Sequence, residues 1–208
     1  MKKRFLLSVL IGGILIFSFA CMAPTFRDLT RKTFSAPEFT TYELETGKIA
    51  LLPTVASSEY ARPLEIYLIE SFQAYHPGIT AIGGAESRTF LNNAGLVAKY
   101  SQMVDTYDKL AILDKSIVMK MGRAVGARYL MYTRMLKYDE FAIRDQDGTI
   151  NRKVYELSIK AEIWDSRTGE AVWDATGHGR IEQTMLDKPA TFEDVAMRVC
   201  DSIMQRLP

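Results

Sequence analysis

The sequence predicts a single α+β domain in which a mixed sheet, ending in an antiparallel meander, packs against helices. Two segments, residues 153–164 and 171–181, alternate apolar and polar side chains as half-buried strands do. Helical patterns, with apolar residues every three or four positions, occupy residues 64–75, 96–125 and 192–207. The chain has 208 residues, of which 48% are hydrophobic and 25% charged, so one domain with a real core is expected.

The amino-terminal segment has the pattern of a secretion signal that ends at a cysteine. Residues 2–4 are basic, residues 5–20 are apolar, and Cys21 follows. This pattern resembles a bacterial lipoprotein signal, which implies that residues 1–20 are removed and that Cys21 carries a diacylglycerol through its sulfur. An ordinary signal peptide is the alternative. Because Met22 rather than Asp follows the cysteine, the enterobacterial sorting rule implies the outer membrane, with the domain in the periplasm.

Composition limits the classes of partner. Removing residues 1–20 takes away three basic residues and changes the formal charge from +1 to about −2. We find no basic patch of the kind that nucleic-acid binders carry. Cys200 is the only cysteine besides Cys21, so no intrachain disulfide is expected.

The mature chain divides into a tether and a folded domain. Residues 21–47 show no sustained period and contain two prolines, which predicts a lipidated tether with one edge strand near residues 39–44. The periplasmic domain is expected to span residues 48–208. It begins with the apolar run at residues 48–53, which is typical of a central strand covered on both faces.

The elements that follow alternate between helix and strand. Ser57 and Ser58 can cap a helix over residues 59–75, and residues 79–82 form a second short strand. Residues 85–126 form helices.

Two residues mark the last of these helices: Asp114 begins it and Gly126 ends it. Residues 128–138 are apolar on both faces and predict another central strand. The chain then forms the hairpin and a closing helix over residues 192–207.

The last hairpin has a register that the alternation predicts. A three-residue loop, Arg167–Gly169 with Gly169 in the left-handed conformation, places every apolar side chain of both strands on one face. A two- or four-residue loop would shift the pairing by one residue and mix the faces. The predicted pairs are Tyr155 with Ile181, Ala161 with Ala175, Glu162 with Asp174, Ile163 with Trp173, and Trp164 with Val172.

Two glycines interrupt the apolar face of the second strand. The register puts Gly177 opposite Ile159 and Gly179 opposite Leu157. Because glycine has no side chain, we expect a helix to lie close to the sheet here.

Three segments together resemble a known family of envelope domains. They are KIALLP (residues 48–53), MGRAVGARYLMYTRM (residues 121–135) and AEIWDSRTGEAVW (residues 161–173). They resemble the periplasmic domain shared by the curli-secretion lipoprotein CsgG, the outer-membrane lipoprotein activators of penicillin-binding proteins, and the TolB amino-terminal domain. The long amphipathic hairpins of the curli channel are not found in this sequence.

This resemblance implies a non-enzymatic outer-membrane lipoprotein. Its periplasmic domain would bind a protein partner in envelope assembly, secretion or cell-wall synthesis. The alternative is a subunit of a CsgG-type secretion pore. No cofactor and no small-molecule substrate are implied.

Residues with catalytic or metal-binding chemistry are few. His76 and His178 lack zinc-ligand spacing, so no metal site is predicted. Cys200 lies beside the apolar face of the last helix and is expected to be buried and inert. The opposed carboxylates of Glu162 and Asp174 suggest acid/base chemistry, but solvated strand faces often hold such pairs. We predict no catalytic residue.

One surface feature suggests a partner contact. Trp164 and Val172 are predicted to pair on the otherwise polar face of the hairpin, where an exposed aromatic residue could anchor a protein. The alternative is that a helix or the tether covers both side chains.

Overall fold

The computed structural model describes residues 24–184 and 187–208. Cys21, the predicted lipidation site, lies outside the described residues. The elements in chain order are β1 (Thr25–Asp28), β2 (Arg31–Ser35), α1 (Thr41–Gly47), β3 (Ile49–Leu51), α2 (Ser58–Tyr75), β4 (Ala81–Ile82), α3 (Gly84–Asn93), α4 (Val97–Leu110), α5 (Lys115–Val125), β5 (Tyr129–Arg144), β6 (Ile150–Asp165), β7 (Glu170–Thr184) and α6 (Phe192–Met204).

One mixed sheet of seven strands organises the described chain, which confirms the predicted α+β class. The strand order is β1-β7-β6-β5-β3-β4, and β2 also pairs with β7. β3 runs parallel to β4 and β5, whereas β5, β6 and β7 form the predicted antiparallel meander. All three residues of β3 are buried, as expected for a central strand.

Helices cover both faces of the sheet and produce two hydrophobic cores. α2 and α6 pack on one face, over a core that contains Leu68, Val199 and the buried side chain of Ile163 from β6. α3, α4 and α5 pack on the other face, where Met121 and Trp164 are buried. β6 serves both cores because successive side chains of a strand point to opposite faces.

The predicted ends of α5 are confirmed, whereas Ser57 lies at the N-cap of α2 without a side-chain hydrogen bond to the helix. The carboxylate of Asp114 accepts hydrogen bonds from the backbone N–H groups of Ser116 and Ile117, and Gly126 ends α5 with φ +75°. Thr191 and Asp194 form a capping box at the start of α6. No helix among residues 24–184 and 187–208 is long and apolar enough to cross a membrane.

The amino-terminal part of the predicted tether belongs to the fold. β1 and β2 pair with β7, and Phe39 and Leu44 are buried in the core. The edge strand predicted for residues 39–44 is wrong, because Thr40 caps the short helix α1 there. The fold therefore includes the chain from Thr25 onward, 23 residues before Lys48.

The β6–β7 hairpin keeps the predicted register but uses a different loop. Asp165 pairs with Glu170 across a turn of residues 166–169, so the three-residue loop is wrong. A bulge then leaves Val172 without a partner and restores the predicted pairing from Ile163 with Trp173 onward. Sequence alternation could not locate this bulge, because a longer loop with a bulge and a shorter loop without one give the same register.

Gly177 and Gly179 lie directly beneath α6, as predicted. A Cβ atom at Gly179 would lie 2.4 Å from Val199 Cγ2, and one at Gly177 would lie 2.7 Å from Ile203 Cδ1. The two glycines therefore allow the helix to approach the sheet closely.

Candidate functional site

The opposed carboxylates of the last hairpin form the centre of the candidate site. β6 and β7 place Glu162 opposite Asp174, as the register predicts. Helix α4 crosses this face of the sheet and places the Tyr107 hydroxyl within hydrogen-bond distance of the Glu162 carboxylate. The site therefore joins a helix to two strands through polar groups.

Glu162 is almost completely buried and its carboxylate is fully engaged. It is 2% exposed. The Tyr107 hydroxyl lies 2.9 Å from Oε1 and 2.7 Å from Oε2, so it can donate to either oxygen, and Trp164 Nε1 donates to Oε2 at 3.0 Å. Lys160 forms an ion pair with Oε1 and also lies 5.4 Å from the centre of the Tyr107 ring. A buried carboxylate with a cation and two donors is compensated for its lost hydration.

Asp174 is the less compensated member of the pair. Its Oδ1 is buried and has no hydrogen-bond partner among the described residues. Burial raises the pKa of Asp174, and the nearby charge of Glu162 raises it further, while Lys160 opposes the shift. The Asp174 carboxyl therefore binds a proton more readily than an ordinary aspartate does.

Aromatic rings surround the carboxylates. Tyr132 stacks on Trp164 with ring centres 5.1 Å apart, and Tyr107 meets Trp164 edge to face at 5.8 Å. The Tyr132 hydroxyl donates to Asp108 at 3.0 Å, and Asp108 also pairs with Arg134. Burial raises the pKa values of both tyrosines, so their hydroxyls stay protonated as donors.

The carboxylate of Glu162 is engaged entirely by neighbouring side chains. An acid/base residue must come within hydrogen-bond reach of its substrate. Glu162 instead uses both oxygens on Tyr107, Trp164 and Lys160. A groove of about 500 Å³ between α4 and α5 is lined by Gln102, Thr106 and other residues, none of them a carboxylate of the pair. The cluster is best explained as a polar clamp that holds α4 on the sheet.

The structure corrects the predicted partner contact. Trp164 is 0% exposed, because α4 and α5 cover this part of the sheet, and it lies opposite Ala171 rather than Val172. Val172 is 7% exposed and, because of the bulge, packs in the α2/α6 core. Neither side chain is therefore available to a partner. For Trp164 the alternative, burial beneath a helix, is the one observed.

The remaining candidate residues have structural surroundings. His76 Nε2 lies 3.0 Å from the Met204 carbonyl oxygen, and His178 Nδ1 lies 2.7 Å from Ser158 Oγ. Cys200 is buried, and burial raises the pKa of its thiol. No cluster of metal-ligating side chains occurs among the described residues.

Gly169 has the predicted positive φ, +74°, and serves as a close contact as well as a turn. A Cβ atom there would lie 2.5 Å from Lys115 Cβ at the start of α5. The turn between β6 and β7 therefore packs directly on a helix.

The sequence pattern does not identify the tyrosines of the site as polar residues. Tyr107 belongs to the apolar stripe of α4, so its periodicity indicates core and nothing more. A buried tyrosine nonetheless needs a partner for its hydroxyl, and an alternating strand with Glu162 on its second face could supply one. The sequence thus contains both groups, but only the tertiary structure shows that they are partners.

Comparison with solved structures shows which known fold this chain resembles. No family model and no curated protein sequence match the chain. The PelC dodecamer from Paraburkholderia phytofirmans is similar with a TM-score of 0.52 and 15% identity, over 87% of this chain and 97% of that chain. Lipoprotein GNA1162 from Neisseria meningitidis aligns with a TM-score of 0.45 and 17% identity, over 76% of this chain and 96% of that chain. The LpoB C-terminal domain from Salmonella enterica aligns with a TM-score of 0.37 and 17% identity, over 69% of this chain and 86% of that chain. The likeness to PelC establishes a shared fold.

Proposed function

We propose that this chain is a non-enzymatic outer-membrane lipoprotein whose periplasmic domain binds a protein partner in envelope assembly, secretion or cell-wall synthesis. The observation that carries the proposal is the fold shared with PelC, a protein that assembles as a dodecamer. This fold can therefore present surfaces for protein association. The internal use of Glu162 by its neighbours is consistent with a binding role rather than a catalytic one.

The anchor is the second part of the proposal. The lipoprotein-type signal ends at Cys21, and the first strand of the sheet begins at Thr25. Acyl chains contribute about 0.8 kcal/mol per buried methylene, and stable anchoring takes more than one chain. A diacylated Cys21 that gains a third acyl chain on its amino group would hold the domain firmly at the membrane.

A second candidate function is a subunit of a ring that serves secretion, of the type that the CsgG resemblance suggests. The specific support is again the PelC dodecamer. In this case the first partner of the chain is a second copy of itself. Both candidates have the same fold and the same anchor. They differ in what the domain binds: another envelope protein in the first case, and further copies of this chain in the second.

The anchor is tested by replacing each cysteine separately in the full chain. In a Gram-negative host that receives an alkyne-labelled fatty acid, the parent should carry the label and fractionate with outer membranes. Cys21→Ala should lose the label and accumulate as precursor. The matched control is Cys200→Ala, which changes a buried thiol and should behave as the parent. A Cys21→Ala protein that is processed and labelled normally would refute the anchor.

The partner is tested by crosslinking in intact envelopes, followed by affinity purification and mass determination in detergent. A different envelope protein crosslinked to the chain supports the leading candidate. A closed assembly of identical copies supports the ring. A detergent-solubilised monomer without crosslinked partners contradicts both.

A further inference from the structure

The β5–β6 hairpin carries exposed apolar side chains at its far end. Phe141 is 41% exposed and Ile143 is 38% exposed. They lie two residues apart in β5 and therefore point to the same face of the hairpin. β5 continues to Arg144, six residues past the strand end predicted from the sequence.

The register places this hairpin end at the same level as the beginning of β1. Thr25 pairs with Glu182 in β7, Glu182 pairs with Val154 in β6, and Val154 pairs with Phe141 in β5. Thr25 and Phe141 therefore lie on one row across four neighbouring strands. Strands are about 4.8 Å apart, so the row is roughly 14 Å long.

Strand direction puts Ile143 beyond that row, toward the end at which the chain enters the sheet. β1 is antiparallel to β7, so its amino-terminal end lies toward Thr184. Thr184 pairs with Arg152, and Arg152 pairs with Ile143. Ile143 therefore projects about 7 Å past the row of Thr25 on the same end of the sheet.

Only a short stretch of chain separates the predicted anchor from the first strand of the sheet. Cys21 precedes Thr25 by four residues, which span at most roughly 14 Å when fully extended. A lipid on Cys21 would therefore keep Thr25 no farther from the membrane surface than roughly the 14 Å that separates Thr25 from Phe141. A tether of residues 21–47 would have left the domain free to turn, but β1 and β2 fix the chain in the sheet from Thr25 onward.

We propose that this end of the sheet docks on the membrane, with Phe141 and Ile143 in the boundary between headgroups and acyl chains. The inference rests on the proposed lipidation of Cys21. Apolar side chains of this size gain free energy when they leave water. Arg144 and Arg152 lie beside them, and their aliphatic stems can cover apolar surface while the guanidinium groups stay hydrated.

The docked orientation would hold the opposite end of the sheet away from the bilayer. β6 runs from its turn with β5 to its turn with β7, so the two turns lie at opposite ends. Lys115 pairs with Glu170 at the far turn, which places the loop before α5 there. Sixteen residues of β6 put these ends roughly 50 Å apart. That far end would then be free to bind a protein partner.

Tryptophan fluorescence can measure the docking in the full lipidated chain. The natural residues Trp164 and Trp173 are 0% exposed, so their emission is shielded from lipid. Phe141→Trp adds one reporter at the hairpin end. Ile112→Trp is the matched control, because Ile112 is 63% exposed and lies at the opposite end, three residues before Lys115. Each protein is reconstituted into phosphatidylethanolamine/phosphatidylglycerol vesicles with and without brominated acyl chains.

We expect every variant to float with the vesicles, and only Phe141→Trp to lose emission to the brominated chains. Flotation without loss of emission at position 141 overturns the docking and leaves the anchor intact. A blue-shifted emission that bromine does not quench means that protein covers the position, and it also overturns the docking. Equal quenching at positions 141 and 112 refutes a fixed orientation, and failure to float refutes the anchor together with the docking. Ile143→Trp repeats the test if Phe141→Trp melts below the parent.

Discussion

Replacing Gly179 by alanine tests how tightly α6 lies on the sheet. The added Cβ would lie 2.4 Å from Val199 Cγ2 and 2.7 Å from Phe26 Cε2. Carbon atoms in contact are normally about 3.5–4.0 Å apart, so roughly 1 Å of overlap must be relieved. Val199 cannot turn away easily, since it is fully buried and a helical valine strongly prefers one rotamer. Overpacking of this kind costs about 1–3 kcal/mol.

A second glycine provides the matched control. Gly78 has no atom within 4 Å of the position that a Cβ would take. Gly78→Ala should therefore be neutral or stabilise by about 0.4–1 kcal/mol, because alanine lowers the entropy of the unfolded chain. Subtracting the control removes this entropic contribution from the Gly179→Ala result. For a domain of this size each kcal/mol shifts the melting temperature by about 2–4 °C, so Gly179→Ala should melt roughly 2–12 °C below Gly78→Ala.

Thermal melts followed by circular dichroism measure the difference, and a double variant identifies its cause. Val199→Ala should destabilise the parent but cost less in the Gly179→Ala background, with a coupling of about 0.5–3 kcal/mol, because the new methyl group fills the vacated space. The close approach of α6 to β7 would be refuted if Gly179→Ala and Gly78→Ala melted together.

Three further predictions concern the turn, the carboxylate pair and the histidines. Gly169→Val should lower the free energy of unfolding, measured in urea, by at least about 1–2 kcal/mol, since φ is +74° and the new side chain meets Lys115. Gly148→Val, at φ +85° with open space around it, should show the backbone cost alone, and equal losses at both sites would contradict the helix contact. The pKa of Asp174 is raised from 3.8 by burial and by Glu162, so its favourable protonated form is lost as the pH rises through that pKa. Asp174→Asn should therefore gain stability relative to the parent between acid and neutral pH, and parallel pH profiles of the melting temperature would argue against this. The double variant His76→Ala, His178→Ala should complement a deletion phenotype at normal protein level, and a loss of complementation would point to chemistry at these residues.

Local patterns were sufficient for the elements that neighbouring residues control. Asp114 and Gly126 bound α5 because a cap and a left-handed stop act within one helical turn. The β6–β7 register follows from alternation over many residues, because a slip by one would bury Glu156 and Lys160 beside the apolar core. Gly179 also predicts a close helix from the sequence, because a glycine in a row of apolar side chains leaves space above the sheet.

Short polar segments carried too little pattern to be assigned. β1 has four residues and β2 five, and most of their side chains are exposed. They become strands because β7 offers an unpaired edge that can accept their backbone hydrogen bonds. The sequence before Lys48 therefore predicted a tether, while pairing with a distant strand makes it part of the sheet.

The α+β class, the central strands, the ends of α5 and the pairing of Glu162 with Asp174 could be predicted from the sequence, because each depends on periodicity or on caps within a few residues. The environment of that pair and of Trp164 depends on helices that are distant in the sequence. The second face of β6 alternates Lys160, Glu162 and Trp164, which is equally consistent with a solvated face and with a covered one. α4 decides between them, because Tyr107 supplies the hydrogen bond that lets a carboxylate be buried. A partner of that kind, 55 residues away in the chain, leaves no trace in local periodicity.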